Sequence, residues 1–205
     1  MISARDALER LREGNRRFVS DWRLSRVLAS HDRRNKLAEG QEPFGVVLGC
    51  SDSRVPAEIV FDQGLGDLFV IRVAGNVVAP SQVGSVEFAA ERFGTRLVVV
   101  LGHSRCGAVV ATVESLNPFA QTPSRNLRSI TDRIRPSVEI LLRTELGGDP
   151  EALVREAVRA NVRVSASQLR HGSQLLEQLI EKDGLLVVGA VYSLDTGEVE
   201  FLDGV

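Results

Sequence analysis

Hydrophobic residues in this chain fall into two kinds of pattern. Short unbroken apolar runs at 44–48, 68–73, 96–101 and 185–191 read as buried strands; the first sits behind Pro43 and ends at Gly49-Cys50. Around them, apolar positions recur at helical spacing. Ala4, Ala7, Leu8, Leu11 and Phe18 make residues 3–19 an amphipathic helix. Residues 32–39 read as a second helix closed by Gly40, and 81–93 as a third with Gly94 as its stop. Another helix is expected over 106–116, then a loop over 117–124 that contains Pro118 and Pro123. Asp149-Pro150-Glu151 supplies a cap, a proline at the first helical position and an acid in the first turn. That helix should run to about His171, where Gly172 stops it. A turn at Asp195-Thr196-Gly197 leads to a last short strand at 198–202.

Apolar strands alternating with helices imply an α/β fold. Its central sheet is mainly parallel, with an antiparallel edge strand and helices on both faces. There is no repeat, low-complexity tract or interdomain linker, so residues 1–205 are expected to form one domain. Residues 1–40 would be an N-terminal helical arm packing on a partner subunit.

Composition narrows the function classes. A chain of 205 residues with 43% apolar content can bury a sizeable core. With 25% charged residues and a net charge of −2, nothing favours nucleic acid or an anionic membrane as partner. Arg155, Arg159 and Arg163 are spaced four apart among acids such as Glu151 and Glu156, which reads as one solvated helix face. The apolar run 97–101 is far too short to cross a bilayer. Arg5, Asp6, Glu9 and Arg10 do not make a signal peptide, so a cytoplasmic protein is expected. Two cysteines 56 residues apart then point to a metal or to catalysis before a disulfide.

The chemistry gathers in two stretches, Cys50-Ser51-Asp52-Ser53-Arg54 and His103-Ser104-Arg105-Cys106, each following a predicted strand. In open parallel sheets, ligand sites lie beyond the carboxyl ends of the strands. Cys50, His103 and Cys106 supply two thiolates and an imidazole, a zinc set with its fourth position open, as a catalytic zinc requires. Cys106 falls in the first turn of a helix, where the dipole favours the thiolate. Two thiolates cancel the charge of zinc, so water on this metal should ionise above about 7 unless Arg54 and Arg72 pull it back. Asp52 is placed to orient that water, and Arg54 to hold Asp52 by a bidentate contact.

Cys50-Ser51-Asp52-Ser53-Arg54-Val55-Pro56 and Gly102-His103-Ser104-Arg105-Cys106-Gly107 closely resemble the two signatures of the β-class carbonic anhydrases. The resemblance extends through Gly66-Asp67-Leu68-Phe69-Val70-Ile71-Arg72, Ala74-Gly75-Asn76, Ser85-Val86-Glu87-Phe88-Ala89 and Gly189-Ala190-Val191-Tyr192, nearly the whole chain. It implies reversible hydration of carbon dioxide to bicarbonate and a proton by zinc-bound hydroxide, in a homodimer or homotetramer with one zinc per chain. Cys50, His103 and Cys106 would be the ligands, with Asp52 and Arg54 as the dyad beside them and Asp52 a fourth ligand in a closed state. Gln41 matches a glutamine that reaches into the partner's pocket, while Phe69 and Phe88 match an apolar wall at the dimer interface. Arg72 and Tyr192 match two members of a bicarbonate regulatory site. The third position holds Val47, where some bacterial relatives have tryptophan.

Two other readings share these residues. Some relatives hydrolyse carbonyl sulfide or carbon disulfide with the same metal set, and a zinc-stabilised binding or sensory protein would keep Asp52 permanently on the metal. A serine-hydrolase elbow fails, because Gly102-His103-Ser104-Arg105-Cys106 lacks its final glycine. A phosphate loop fails as well, since Ala108-Val109 stand where Lys and Ser/Thr are needed. His31 reads as a polar helix-start residue and His171 as a cation at a helix end.

Overall fold

The structure, a computed structural model, describes residues 2–22, 30–116 and 124–202. Strands β1 (Gly45–Gly49), β2 (Leu68–Arg72), β3 (Leu97–His103), β4 (Leu186–Tyr192) and β5 (Val199–Phe201) make one sheet in the order β2-β1-β3-β4-β5. All neighbours run parallel except β4 and β5. Every residue of β1 and β3 is buried, as an apolar run covered on both faces requires. The fold class expected from the pattern is the one observed.

Alternation along the strands feeds two cores. Val46, Leu48, Val98 and Val100 face one side, with Val86, Ala89 and Ala90 of α4 (Pro80–Arg92) and Val162, Ala166 and Leu169 of α7 (Pro150–His171). Val47, Val99, Leu101 and Val188 face the other, with Ala7, Leu8 and Leu11 of α1 (Ala4–Val19) and Val60 of α3 (Ala57–Val60). A third cluster at the carboxyl end joins Cys50 and Cys106 to α5 (Gly107–Ser115), α6 (Arg125–Leu142) and α7.

Helix starts follow their caps. Ser3 accepts from the Asp6 amide at the head of α1 and Ser30 from the Arg33 amide at α2 (His31–Leu37). Asp149 accepts from the amides of Glu151 and Ala152 behind Pro150. Gly94 ends α4 with φ +64°.

Four expectations change. Leu8 and Leu11 are buried against Val60 and Phe61 of their own chain, so the apolar face of α1 needs no partner to cover it. α6 and α8 (Gln174–Lys182) are helices that the pattern reading passes over. Pro136 sits inside α6, yet Ile130, Ile134, Val138 and Leu141 carry one apolar face through it. Arg159 leaves the solvated face to make a two-pronged pair with Glu200 of β5, at 2.6 and 2.8 Å. The loop expected over 117–124 lies, apart from Ser124, outside the described residues. No described helix is long and apolar enough to cross a membrane.

Candidate metal centre

Cys50 follows β1 directly, His103 is the last residue of β3, and Cys106 is the N-cap of α5. β1 and β3 are hydrogen-bonded neighbours at the centre of the sheet, so their carboxyl ends bring the first two residues together. The chain must then turn within two residues to return Cys106. Arg105 makes that turn in the left-handed region (φ 55°) and its guanidinium pairs with Asp195. Ser104 pins the same loop to the following strand: its amide donates to Tyr192 O and its hydroxyl accepts from the Leu194 amide, each at 2.9 Å.

One ligand atom from each of Cys50, His103 and Cys106 lies within 4.8 Å of the other two. The two sulfurs are 4.0 Å apart. Tetrahedral zinc with bonds of 2.3 Å would set them about 3.8 Å apart, so the pair needs almost no adjustment. His103 Nδ1 lies 3.0 Å from the Ser104 carbonyl oxygen, which can only accept, so Nδ1 carries the proton and Nε2 holds the free lone pair. That Nε2 is buried and has no hydrogen-bond partner among the described residues. A buried imidazole nitrogen facing two thiols without a partner is costly unless a metal takes it. The donor set fits zinc on geometry and on this orphaned atom.

The thiols are prepared for that role. Cys50 is drawn down, first by the hydrogen bond it shares with Cys106, with further help from His103 and from the Gly75 amide, which lies 3.3 Å from the sulfur, while burial opposes this. Cys106 is pushed up by the same shared proton and by burial, and the open amides of Val109 and Ala108 at the start of α5 oppose this. A cation bound between the sulfurs would displace thiol protons, so its binding is linked to their ionisation.

Asp52 sits at the mouth. Its Oδ1 accepts from the Arg54 Nε and amide at 2.9 and 3.0 Å, and its Oδ2 from Arg54 Nη2 at 2.7 Å. This fork holds the carboxyl well below its usual range. Oδ2 lies 3.8 Å from His103 Nε2, beside the three ligands and outside their cluster. Arg72 serves the same loop, with Nε on Cys50 O at 3.1 Å and Nη2 on Asp52 O at 2.6 Å.

The remaining sequence-nominated residues lie elsewhere. Tyr192 ends β4 with its ring against Phe18, and β1 and β3 separate its strand from that of Arg72. Burial raises its phenol. Val47 is fully buried in β1. Gln41 precedes β1 at the opposite end of the strand from Cys50, exposed in a cleft of about 690 Å³ shared with Phe44 and Phe93. Phe93 continues into an aromatic cluster with Phe69 and Phe88, at centroid separations of 5.7 to 6.1 Å. Gly75, whose amide reaches Cys50, is a supporting group that its residue type does not reveal, although it lies within the Ala74-Gly75-Asn76 stretch that resembles the family.

A mainly parallel sheet with a buried thiolate–thiolate–imidazole triad at its carboxyl edge defines a zinc enzyme of the α/β class. The chain belongs to the carbonic anhydrase family, β class: the model described as "Carbonic anhydrase" matches residues 45–199. It is 40% identical to "Carbonic anhydrase 2" of Mycobacterium tuberculosis over 197 residues, covering 96% of this chain and 92% of that one. Among solved structures, it resembles the β-carbonic anhydrase CafA of Aspergillus fumigatus with TM-score 0.76 and 28% identity, covering 85% and 82% of the two chains. A tetrameric β-carbonic anhydrase of Sordaria macrospora is similar at TM-score 0.74 and 25% identity, covering 82% and 85%.

Proposed function

We propose that this chain interconverts carbon dioxide and bicarbonate at a zinc held by Cys50, His103 and Cys106, with Asp52 and Arg54 as the working pair beside it. The observation that carries the reading is the buried His103 Nε2, without a hydrogen-bond partner among the described residues and within reach of two thiols. Zinc bound there supplies a Lewis acid that makes water nucleophilic near neutral pH. The protein's own groups do the rest. Asp52 accepts the O–H of the attacking water and so directs an oxygen lone pair at the carbon of carbon dioxide. Arg54 and Arg72 keep that carboxylate and its loop in place, so little reorganisation remains at the moment of reaction. The other proton passes to buffer.

Because both carboxylate oxygens of Asp52 are taken by Arg54, the arrangement favours catalysis over a carboxylate-sealed structural zinc. Gln41 and the Phe69–Phe88 wall stand away from Cys50 of their own chain, and we read them as serving a neighbour's pocket in a homo-oligomer. Thiolate ligands need a reducing compartment, for which we assign the cytoplasm.

The test measures zinc content and hydration rate together, with carbonyl sulfide as a second substrate. The parent should carry one zinc per chain and act on carbon dioxide. Cys50→Ser, His103→Ala and Cys106→Ser should each lose both metal and activity. Full zinc occupancy in any variant would remove that residue from the site, and a faster rate on carbonyl sulfide would replace the substrate.

A further inference from the structure

Asn161 and Ser165 take no part in the reading above, yet each is only 2% exposed. They stand one turn apart on α7 among Ala157, Val158, Val162 and Ala166, a face that packs as core. An amide and a hydroxyl in such surroundings destabilise the fold unless they are hydrogen-bonded. Both reach the same short turn. Asn161 Nδ2 donates to Gly75 O at 2.8 Å, and Ser165 Oγ donates to Asn76 O at 3.1 Å.

That turn, Ala74–Asn76, is the one whose Gly75 N–H points at the Cys50 sulfur, at 3.3 Å. Gly75 and Asn76 are both left-handed, with φ of 68° and 45°, a conformation that glycine adopts freely and asparagine more readily than other side chains. Apolar atoms hem the turn on another side: a β-carbon on Gly75 would lie 2.7 Å from Ile134 Cδ1 and 3.0 Å from Ala108 Cβ. The two hydrogen bonds from α7 hold the carbonyls of the next two peptides, Gly75–Asn76 and Asn76–Val77, and so fix the turn that presents the preceding peptide's N–H to Cys50.

We infer that Asn161, assisted by Ser165, is a positioning residue that aims the Gly75 N–H at the Cys50 thiolate and so sets how much charge that sulfur gives the metal. The inference rests on the zinc reading of Cys50, His103 and Cys106. A hydrogen bond to a ligating sulfur withdraws electron density from it and fixes its direction. Losing such outer partners typically weakens metal affinity ~10–100-fold.

The experiment uses the full chain, with zinc affinity from competition with a chromogenic chelator and the sulfur-to-cobalt charge-transfer absorption of the Co2+-substituted protein. Asn161→Ala should bind zinc about tenfold more weakly, with its charge-transfer band moved to lower energy because the sulfur is richer in electrons. Ser165→Ala should show both changes in the same direction and smaller. Leu169→Ala is the control, fully buried in the same helix against the other core cluster, and should lower thermal stability while leaving affinity and band alone. If Asn161→Ala does not fold, Ser165→Ala carries the same test. Parent-like affinity and band in the folded variants would overturn the inference. No charge-transfer absorption in the parent would sink the zinc reading and this inference with it, whereas a normal parent band with unmoved variants sinks this inference alone.

Discussion

Asp52 lies two residues from a zinc ligand, so its carboxylate has the reach to compete for the metal, and Arg54 opposes this with three hydrogen bonds. Arg54→Ala deletes the two made by the side chain. Asp52 is then free to swing onto the metal, and hydration near neutral pH should fall by ~100-fold or more, as misplacement of about an ångström can cause. Zinc content should stay at the parent's level. A parent-like rate in Arg54→Ala would show that the fork does not hold the site open. Residue type and strand-end position made the Cys50–His103–Cys106 cluster legible before any coordinates. The supporting groups were not, because the Asn161–Gly75 bond spans 86 positions and leaves no local signal. Arg72 was assigned to anion binding by resemblance, but it is committed to two backbone carbonyls, while Tyr192 packs on Phe18. Bicarbonate should therefore inhibit weakly and without cooperativity. Steep cooperative inhibition in steady-state assays would mean that the two side chains do converge.

At the scale of elements, the strands and capped helices were legible because their signals are local: apolar runs, a cap, a terminal glycine. α8 carried such a signal as well, with Ser173 accepting from the Leu176 amide and apolar Leu175, Leu176, Leu179 and Ile180 behind it. The reading stopped one residue too early, at Gly172. α6 is harder to see in the sequence because Pro136 interrupts it, although its apolar face runs on through the proline. α1 shows the limit of periodicity, which reveals an apolar face but not its cover. Leu11 is fully buried within its own chain, so Leu11→Ala should cost about 2–5 kcal/mol in denaturant unfolding without changing the assembly state. A cost below that range would put α1 outside the chain's own core. The edge strand β5 is tied to α7 by Arg159 and Glu200, and the Arg159 hydrogen bond lowers the Glu200 carboxyl. A lowered folded-state value contributes stability above the unfolded pKa, and that contribution is lost as pH falls through the folded value. Glu200→Gln should then melt slightly below the parent at neutral pH and converge with it in acid. The gap should stay within about 1 kcal/mol, since the pair is largely exposed. A gap that widens toward acid would reverse the sign.

For the whole molecule, the open question is what covers the face beside β2. Among the described strands, β2 pairs with β1 alone, so its outer edge offers unpaired backbone groups. Next to it, Phe88 is 53% exposed and packs tilted against Phe69 and edge-on to Phe93, and Phe93 lines the cleft that also holds Gln41. An aromatic cluster left in water beside an open edge is poor chemistry for a monomer. Burying one phenylalanine side chain is worth about 1.5–3 kcal/mol. Gln41 adds a second reason for a partner, since it precedes β1 while Cys50 follows it. A five-residue strand of about 17 Å stands between them. Gln41 therefore stands a strand's length from its own Cys50, and a part for it at a metal site would be played in a neighbour's pocket. Phe88→Glu places a charge in the centre of this face without touching the ligands or their support. Sedimentation velocity should show a smaller species than the parent, with one zinc per chain retained and hydration reduced because each pocket loses its neighbour's wall. If the variant sediments as the parent does and keeps full activity, this face is free in solution, and Gln41, Phe69 and Phe88 have no part in the reaction.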